Sequence, residues 1–398
     1  MLKVAKFLKI LVIVEAEIAT THLVMQVLRA ARQFGIMADL VVSSQWKARE
    51  LSGDILPIFI RCADPTMLPY AYALAKVGRP YLYYLDDDFW SLDVNTPLGA
   101  YYSDPHVRKC LDYFVSHAAL VLTNTSQLAE RLREHSHKIA LVPTFFNFDL
   151  LNGVVPESTD EIRIGFAGSA GRQMDLELIK SAITPVLASN PRVVFEFIGT
   201  MPQGVKPCHR IRSFPPMENY ADFVRFQASR NWSIGLAPLL ETVSNRSKTD
   251  NKFREYSASS IAGIYSDYGP YPVAVTDGVD GLLVRDGDWA KSILSLVNEP
   301  NRLRAVRSSA YNAAVARYDI NNASRIWANI IVDTAKNIET GPTIDLVDIR
   351  RKIFLHTLIG RWARVQITYR QGGLKMVCKK ITVRLSCRLG LRGGHNES

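Results

Sequence analysis

Short apolar runs bounded by polar turns recur along the chain and alternate with stretches whose apolar residues repeat at helical spacing. A strand that is apolar at every position must be covered on both faces, and parallel neighbours can be joined only by crossovers. The alternation therefore dictates parallel sheets layered between helices. In the first half the predicted strands are residues 10–14, 38–43, 55–60, 81–85, 119–123 and 139–142, with helices at 21–34, 66–77, 105–116 and 126–134. Such a set completes one Rossmann-like domain. From Asn152 to Asp160 the chain turns polar, with Gly153, Pro156, Ser158 and Thr159, and a new apolar run opens at Ile162. The second set predicts strands at 162–167, 193–198, 233–237 and 261–265. Its helices are predicted at 175–187, 218–228, 250–262, 290–297, 302–317 and 323–334. The expectation is two Rossmann-like α/β domains, 1–152 and 161–338, facing each other across a cleft at the carboxyl edges of their sheets.

At 398 residues, 47% hydrophobic and 22% charged, the chain has material for two cores. Its net charge of +10 suggests a nucleic-acid binder until it is mapped. Residues 349–398 hold twelve Lys/Arg and a single acid, Glu397, while the preceding 348 residues balance 36 Lys/Arg against 37 Asp/Glu. A neutral body offers no basic groove for a nucleic acid, so no nucleic-acid partner is expected. The cysteines (Cys62, Cys110, Cys208, Cys378 and Cys387) are scattered, odd in number and lack metal-ligand spacing, which argues against a disulfide framework or a zinc site and for a reducing compartment. Lys3, Lys6 and Lys9 before the run 10–14 mimic a secretory leader, but the run is short, Glu15 and Glu17 end it, and no small-residue cleavage site follows. It is read as the first buried strand. No segment has the length of a membrane-spanning helix.

Two stretches in the second half carry chemistry. The run Ile164-Gly165-Phe166-Ala167-Gly168-Ser169-Ala170-Gly171-Arg172 passes from a strand through a glycine-rich turn toward a helix. Backbone N–H groups and a helix N-terminus at such a turn suit a diphosphate, and Arg172 adds a charge-assisted partner. Further on, Lys248, Lys252 and Glu255 fall four and three residues apart. A helix beginning there presents all three toward one side of its N-terminal end, two cations for a pyrophosphate and a carboxylate for ribose or sugar hydroxyls. A solvated, salt-bridged helix face is the plainer alternative for such a cluster.

These stretches, with Gly263-Ile264-Tyr265-Ser266-Asp267-Tyr268-Gly269-Pro270-Tyr271 and Asp277-Gly278-Val279-Asp280-Gly281-Leu282-Leu283-Val284, together resemble the donor domain of the group 1 (family 4) retaining glycosyltransferases of bacterial surface-polysaccharide type. The resemblance is good over residues 161–333, fainter over 81–147, and absent in the tail. It implies a GT-B fold and donor contacts at Gly168, Ser169, Lys248, Lys252, Glu255, Tyr268 and Gly269, with Arg172, Lys252 and Glu255 in catalytic roles. It also implies a retaining, metal-independent transfer with no cofactor, the nucleoside diphosphate sugar being a substrate. The family commonly carries two glutamates separated by seven residues; with Glu255 as the second, the first position holds Ser247. That departure keeps open a catalytically silent nucleotide-sugar-binding partner of a polysaccharide assembly complex.

In the first domain, Asp86, Asp87 and Asp88 close the predicted strand 81–85, and with His106 they are expected on the acceptor side. The same triplet offers a rival: carboxylates at a strand's carboxyl edge hold Mg²⁺ or Mn²⁺ in metal-dependent, single-domain GT-A transferases. The eight histidines show no zinc spacing. The tail places Phe354, Leu358, Trp362, Val365 and Tyr369, then Leu374, Cys378, Ile381, Leu385 and Leu389, at helical spacing among Lys/Arg. Basic amphipathic helices of that kind lie in the headgroup region of anionic membranes. Joined to the resemblance, the tail predicts a cytoplasmic protein, peripheral on the inner face of the plasma membrane through 350–392. The resemblance itself implies a transferase whose acceptor is a saccharide or lipid-linked saccharide.

Overall fold

The computed structural model of the chain describes residues 7–46, 50–285, 287–336 and 342–347, together with Ile349, Arg351 and Val365. The first domain runs through β1 (Leu8–Val14), α1 (Ala19–Ala30), β2 (Ile36–Val42), β3 (Glu50–Leu51), β4 (Ile55–Ile60), α2 (Leu68–Lys76) and β5 (Leu82–Tyr84). It continues through α3 (Pro97–Tyr102), α4 (Pro105–His117), β6 (Leu120–Thr123), α5 (Ser126–Leu132) and β7 (Ile139–Leu141). Six of these strands form a parallel sheet in the order β2-β1-β4-β5-β6-β7. Ile10 pairs with Ala38 on one side and Leu56 on the other. Val12, Ile13, Ile58 and Phe59 are fully buried, as strands covered on both faces require. The predicted helix 21–34 divides: α1 ends at Ala30, and one 3₁₀ turn carries the chain to Gly35, whose φ of +87° stops it.

The second domain comprises β8 (Ile162–Ala167), α6 (Glu177–Ser189), β9 (Val193–Ile198), β10 (Ile211–Phe214), α7 (Tyr220–Ser229), β11 (Ile234–Ala237), α8 (Val243–Arg246) and α9 (Asn251–Ala258). It closes with β12 (Ala262–Ser266), α10 (Tyr271–Ala274), β13 (Leu282–Val284), α11 (Trp289–Val297) and α12 (Pro300–Arg317). Its sheet is parallel, ordered β10-β9-β8-β11-β12-β13, so the strand order reverses between β8 and β11. The edge strands β10 and β13, of four and three residues, are too short to show a period in the sequence. The predicted helix 250–262 ends at Ala258, where Ser260 takes a φ of +53° and the Ile261 N–H returns to the Tyr256 carbonyl at 2.9 Å. Fully buried Glu196 accepts from Arg230 and from the Trp232 indole, and Arg163 and Arg230 also bind Glu157. Through Glu157 that network pins the interdomain segment to the second sheet.

Within the range 161–338 expected for the second domain, the last helix leaves that domain's sheet. Helix α13 (Ile320–Lys336) crosses back and packs against α1 on the first domain. Ala323, Trp327, Ala328 and Ile331 join the core that contains Ile10, Val12, Val24 and Leu28. The physical reason is the apolar stripe of α13, which the first sheet leaves room to cover. The Trp327 ring lies 5.5 Å from that of Tyr84, and its indole N–H donates to the Pro143 carbonyl at 3.1 Å. The two crossings run side by side, joined by the Phe146 N–H to the Tyr318 carbonyl at 2.8 Å. Beyond α13, β14 (Ile344–Asp345) pairs antiparallel with β3, again on the first domain. Among the described residues no helix is long and apolar enough to cross a membrane. Apart from Ile349, Arg351 and Val365, the predicted basic tail lies outside the described residues.

Trp327→Ala removes a ring only 2% exposed, at a cost of about 3–5 kcal/mol. Peptide-resolved hydrogen exchange should lose protection in β1, β4 and β5 and keep it in β8, β9 and β11. Loss confined to the second sheet would contradict the placement of α13.

Candidate functional site

The carboxyl ends of both sheets open onto one cleft, with a cavity volume of about 420 Å³. The first domain contributes Thr20 beyond β1, Arg61 beyond β4, Asp86 and Asp87 beyond β5, and Asn124 beyond β6. The second contributes Gly168 and Ser169 beyond β8, Gly199 beyond β9, Pro216 and Met217 beyond β10, and Leu239 beyond β11. Lys248, Lys252, Arg254 and Glu255 come from α9 and the loop before it. The donor-like residues therefore surround the point where the second sheet's strand order reverses, the usual ligand position in open α/β sheets.

The glycine turn is built differently from the sequence expectation. The Gly168 N–H is committed to the Ile198 carbonyl at 3.0 Å, and α6 begins only at Glu177, after a 3₁₀ turn over Ala170–Arg172. The first bond of that turn runs from the Arg172 N–H to the Ser169 carbonyl at 2.9 Å, so the N–H groups of Ser169 and Ala170 precede it. Gly199 makes the turn possible. Its φ is +90°, and a Cβ there would stand 2.3 Å from the Gly168 carbonyl oxygen. Arg172 is held in place by a bond to the Pro238 carbonyl at 3.1 Å and by Asp175 at 3.1 Å. Burial pushes the Asp175 carboxyl above its ordinary value, against the pull of Arg172.

Lys252 and Glu255 meet on α9, Nζ to Oε2, at 2.9 Å. The other Glu255 oxygen accepts from the Tyr220 hydroxyl at 3.4 Å, and burial together with the Glu255 charge raises the Tyr220 phenol. Lys248 does not share their helix face. It lies in the loop before α9, because that helix starts at Asn251, and it reaches across the cleft to Asp87 at 3.3 Å. Arg254, which sequence reasoning passed over, is 3% exposed. It donates to the Asn251 side chain at 2.8 Å, and its Nε has no hydrogen-bond partner among the described residues. Burial would lower its pKa, but Tyr220, Asp250 and Glu255 raise it.

The acidic triplet splits. Asp86 accepts from Thr20 at 2.9 Å and from the Arg61 Nε, and Asp87 accepts from the Arg61 Nη2 at 2.9 Å and from Lys248. Asp88 turns inward, 1% exposed, capping the Trp90 N–H at 3.0 Å with Arg131 at 3.6 Å. It does not line the cleft, because the strand ends at Tyr84 and the third residue of the acidic loop falls on its inner side. His106 sits exposed in the first turn of α4, its N–H on Asp104, and is not among the residues that line the cleft. Tyr268 and Gly269 likewise lie outside the lining. The Tyr268 hydroxyl donates to the Thr242 carbonyl at 2.8 Å, so this segment braces the loop under Lys248. Arg61 was the other omission. It follows β4 directly, at a φ of +51°, and only tertiary placement shows that it clamps two carboxylates. Among the described residues no group of three or more His, Cys, Asp and Glu is arranged to hold a metal ion.

No family model and no curated protein matches the sequence. Solved structures do. Anabaena HepE in complex with UDP superposes at a TM-score of 0.57 with 14% identity, over 82% of this chain and 100% of that one. Sucrose-phosphate synthase from Thermosynechococcus elongatus gives 0.56 with 14% identity, over 83% and 100%. The pneumococcal O-GlcNAc transferase GtfA, in complex with UDP and GlcNAc, gives 0.52 with 15% identity, over 72% of this chain and 58% of GtfA. The fold is GT-B, two Rossmann-like domains. The second complete sheet overturns the single-domain GT-A alternative for Asp86 and Asp88.

Gly199→Ala should lower stability by about 1–3 kcal/mol through strain at positive φ. Gly171→Ala, whose Cβ meets nothing nearer than 3.7 Å, should stay within about 0.5 kcal/mol of the parent. Thermal unfolding of the two variants reads the difference; equal melting temperatures would contradict the turn geometry.

Proposed function

We propose that the chain is a glycosyltransferase that moves a sugar from a nucleoside diphosphate sugar to a saccharide or lipid-linked saccharide, with retention and without a metal, in surface-polysaccharide assembly. The observation that carries this reading is the convergence of Arg172, Lys252, Arg254 and Glu255 on the glycine turn at the reversal point of the second sheet. The fold likeness to HepE and GtfA, both solved with UDP, supports a nucleoside diphosphate as the ligand class. Tyr268 acts indirectly, through the start of α8 that it braces, and Gly269, Asp88 and His106 do not line the cleft.

The chemistry needs little more than fixed charge. As the bond between the anomeric carbon and the diphosphate breaks, negative charge gathers on the leaving phosphate. Lys252 and Arg172, already fixed by Glu255 and Asp175, stabilise it without reorganising. The acceptor hydroxyl attacks from the same face, its oxygen bonds the anomeric carbon, and its proton passes to a phosphate oxygen of the leaving group. Glu255 holds Lys252 through Oε2, and its Oε1, which accepts from Tyr220, has a further lone pair for ribose or sugar hydroxyls. The wall formed by Thr20, Arg61, Asp86 and Asp87 receives the acceptor.

Lys252→Ala should cut transfer roughly 10²–10³-fold with an unchanged circular dichroism spectrum. Undiminished turnover would remove Lys252 from the mechanism. Donor binding without transfer in the parent protein would favour the silent binding partner, for which Ser247 speaks: its carbonyl accepts from Thr125 at 3.1 Å and its side chain is buried.

The basic segment 350–392 is proposed to rest on anionic membrane at the cytoplasmic face, bringing the cleft to a lipid-linked acceptor. A chain ending at Glu339 should lose flotation with anionic liposomes and keep activity on a soluble acceptor. Persistent flotation would contradict that role.

A further inference from the structure

We infer that Lys248 is a gate between the two halves of the cleft. A bound diphosphate draws its ammonium off Asp87, and the Asp87 oxygen released takes the hydroxyl of the incoming acceptor. The inference rests on the reading of the cleft as a nucleoside diphosphate sugar site. Asp87 has two cationic partners, one on each oxygen: Arg61 donates to Oδ2 at 2.9 Å, and Lys248 donates to Oδ1 at 3.3 Å. They differ in how firmly they are held. Arg61 belongs to the same domain, binds Asp86 as well, and lies 5.2 Å over the Phe89 ring. Lys248 comes from the opposite domain, on a loop, with a side chain 32% exposed and the longer bond.

Asp87 is buried enough that its carboxyl would rise, but Lys248 and Arg61 together hold it below the usual carboxylate range. Lys248 faces the same cavity as Arg172 and Lys252. A diphosphate entering there brings more negative charge than one carboxylate that Arg61 already half neutralises, and the mobile cation follows it. Arg61 stays on Oδ2, and the vacated Oδ1 offers its lone pairs to a hydrogen-bond donor. A hydroxyl is the complementary donor. Donor binding therefore precedes productive acceptor binding, and Asp87 is a positioning residue for the acceptor.

Nucleotide affinity alone tests this, measured by calorimetry with UDP, ADP, GDP and dTDP on the full chain. If Lys248 must leave Asp87, removing the carboxylate removes that cost. Asp87→Asn should bind the preferred diphosphate roughly two- to fivefold tighter. Lys248→Met should bind it at least about tenfold weaker, and the double variant should match Lys248→Met. Asp87→Ser, read in parallel, reports the same loss of charge should the Asn variant fail to fold. If the parent binds and both Asp87 variants bind equally or more weakly, the ion pair is a structural clamp and the gate is overturned. If the parent binds none of the four, the donor reading itself falls.

Discussion

The balance of charge across the cleft is the constraint on which the rest of the structure depends. Five cations, Arg61, Arg172, Lys248, Lys252 and Arg254, share the cavity wall with three carboxylates, Asp86, Asp87 and Glu255. Most of these charges are fixed by neighbours before any ligand arrives: Arg172 by Asp175 and Pro238, Lys252 by Glu255, and Arg61 by two aspartates. The remaining cationic excess sits where a diphosphate would lie, and the part of its field supplied by Arg172 and Lys252 is preorganised because their partners hold them in place. A helix face carrying the same residues into solvent would not have this property, since water and salt would screen each pair.

The scaffold that holds these charges opposite one another depends on two adjacent chain crossings. The Phe146 N–H to Tyr318 carbonyl bond ties the outgoing segment to the returning one. The Glu196–Arg230–Arg163 network anchors the outgoing strand to the second sheet, and Trp327 anchors the returning helix to the first. Away from the crossings, Lys248 with Asp87 and the Thr125 hydroxyl on the Ser247 carbonyl bridge the cleft itself. Such small polar contacts leave the two sheets free to adjust around a ligand while the crossing holds their register.

Much of this was legible in the sequence, because fully buried strands are unmistakable apolar runs. The strands Ile162–Ala167 and Val193–Ile198 appear with the predicted ends. Edge strands β10 and β13 were not legible, since four- and three-residue segments carry little period. Helix α13 was seen as a helix, but amphipathicity says that a face is covered and not by which domain. At the site, Lys252 and Glu255 were found from helical spacing, whereas Lys248 was drawn onto the same face only by assuming that the helix began earlier. Arg61 and Arg254 were missed for one reason: an arginine's role is set by what it meets in three dimensions, and even Arg254, which stands between Lys252 and Glu255, reveals its burial only in the fold. Asp86 and Asp87 line the cleft, while Asp88 and His106 do not, because nearness in sequence does not carry over once a strand has ended.

Ligand linkage offers the most direct measurement of the central claim. A ligand held by the folded cleft at a hundredfold excess over its Kd stabilises the protein by about 2.7 kcal/mol, an increase of several degrees in melting temperature. Thermal shift across a panel of nucleoside diphosphate sugars, each beside its nucleoside monophosphate, therefore reads the site without knowledge of the acceptor. The account predicts a rise for one nucleoside diphosphate sugar that its monophosphate does not reproduce. A flat response across the whole panel at millimolar concentration would contradict it.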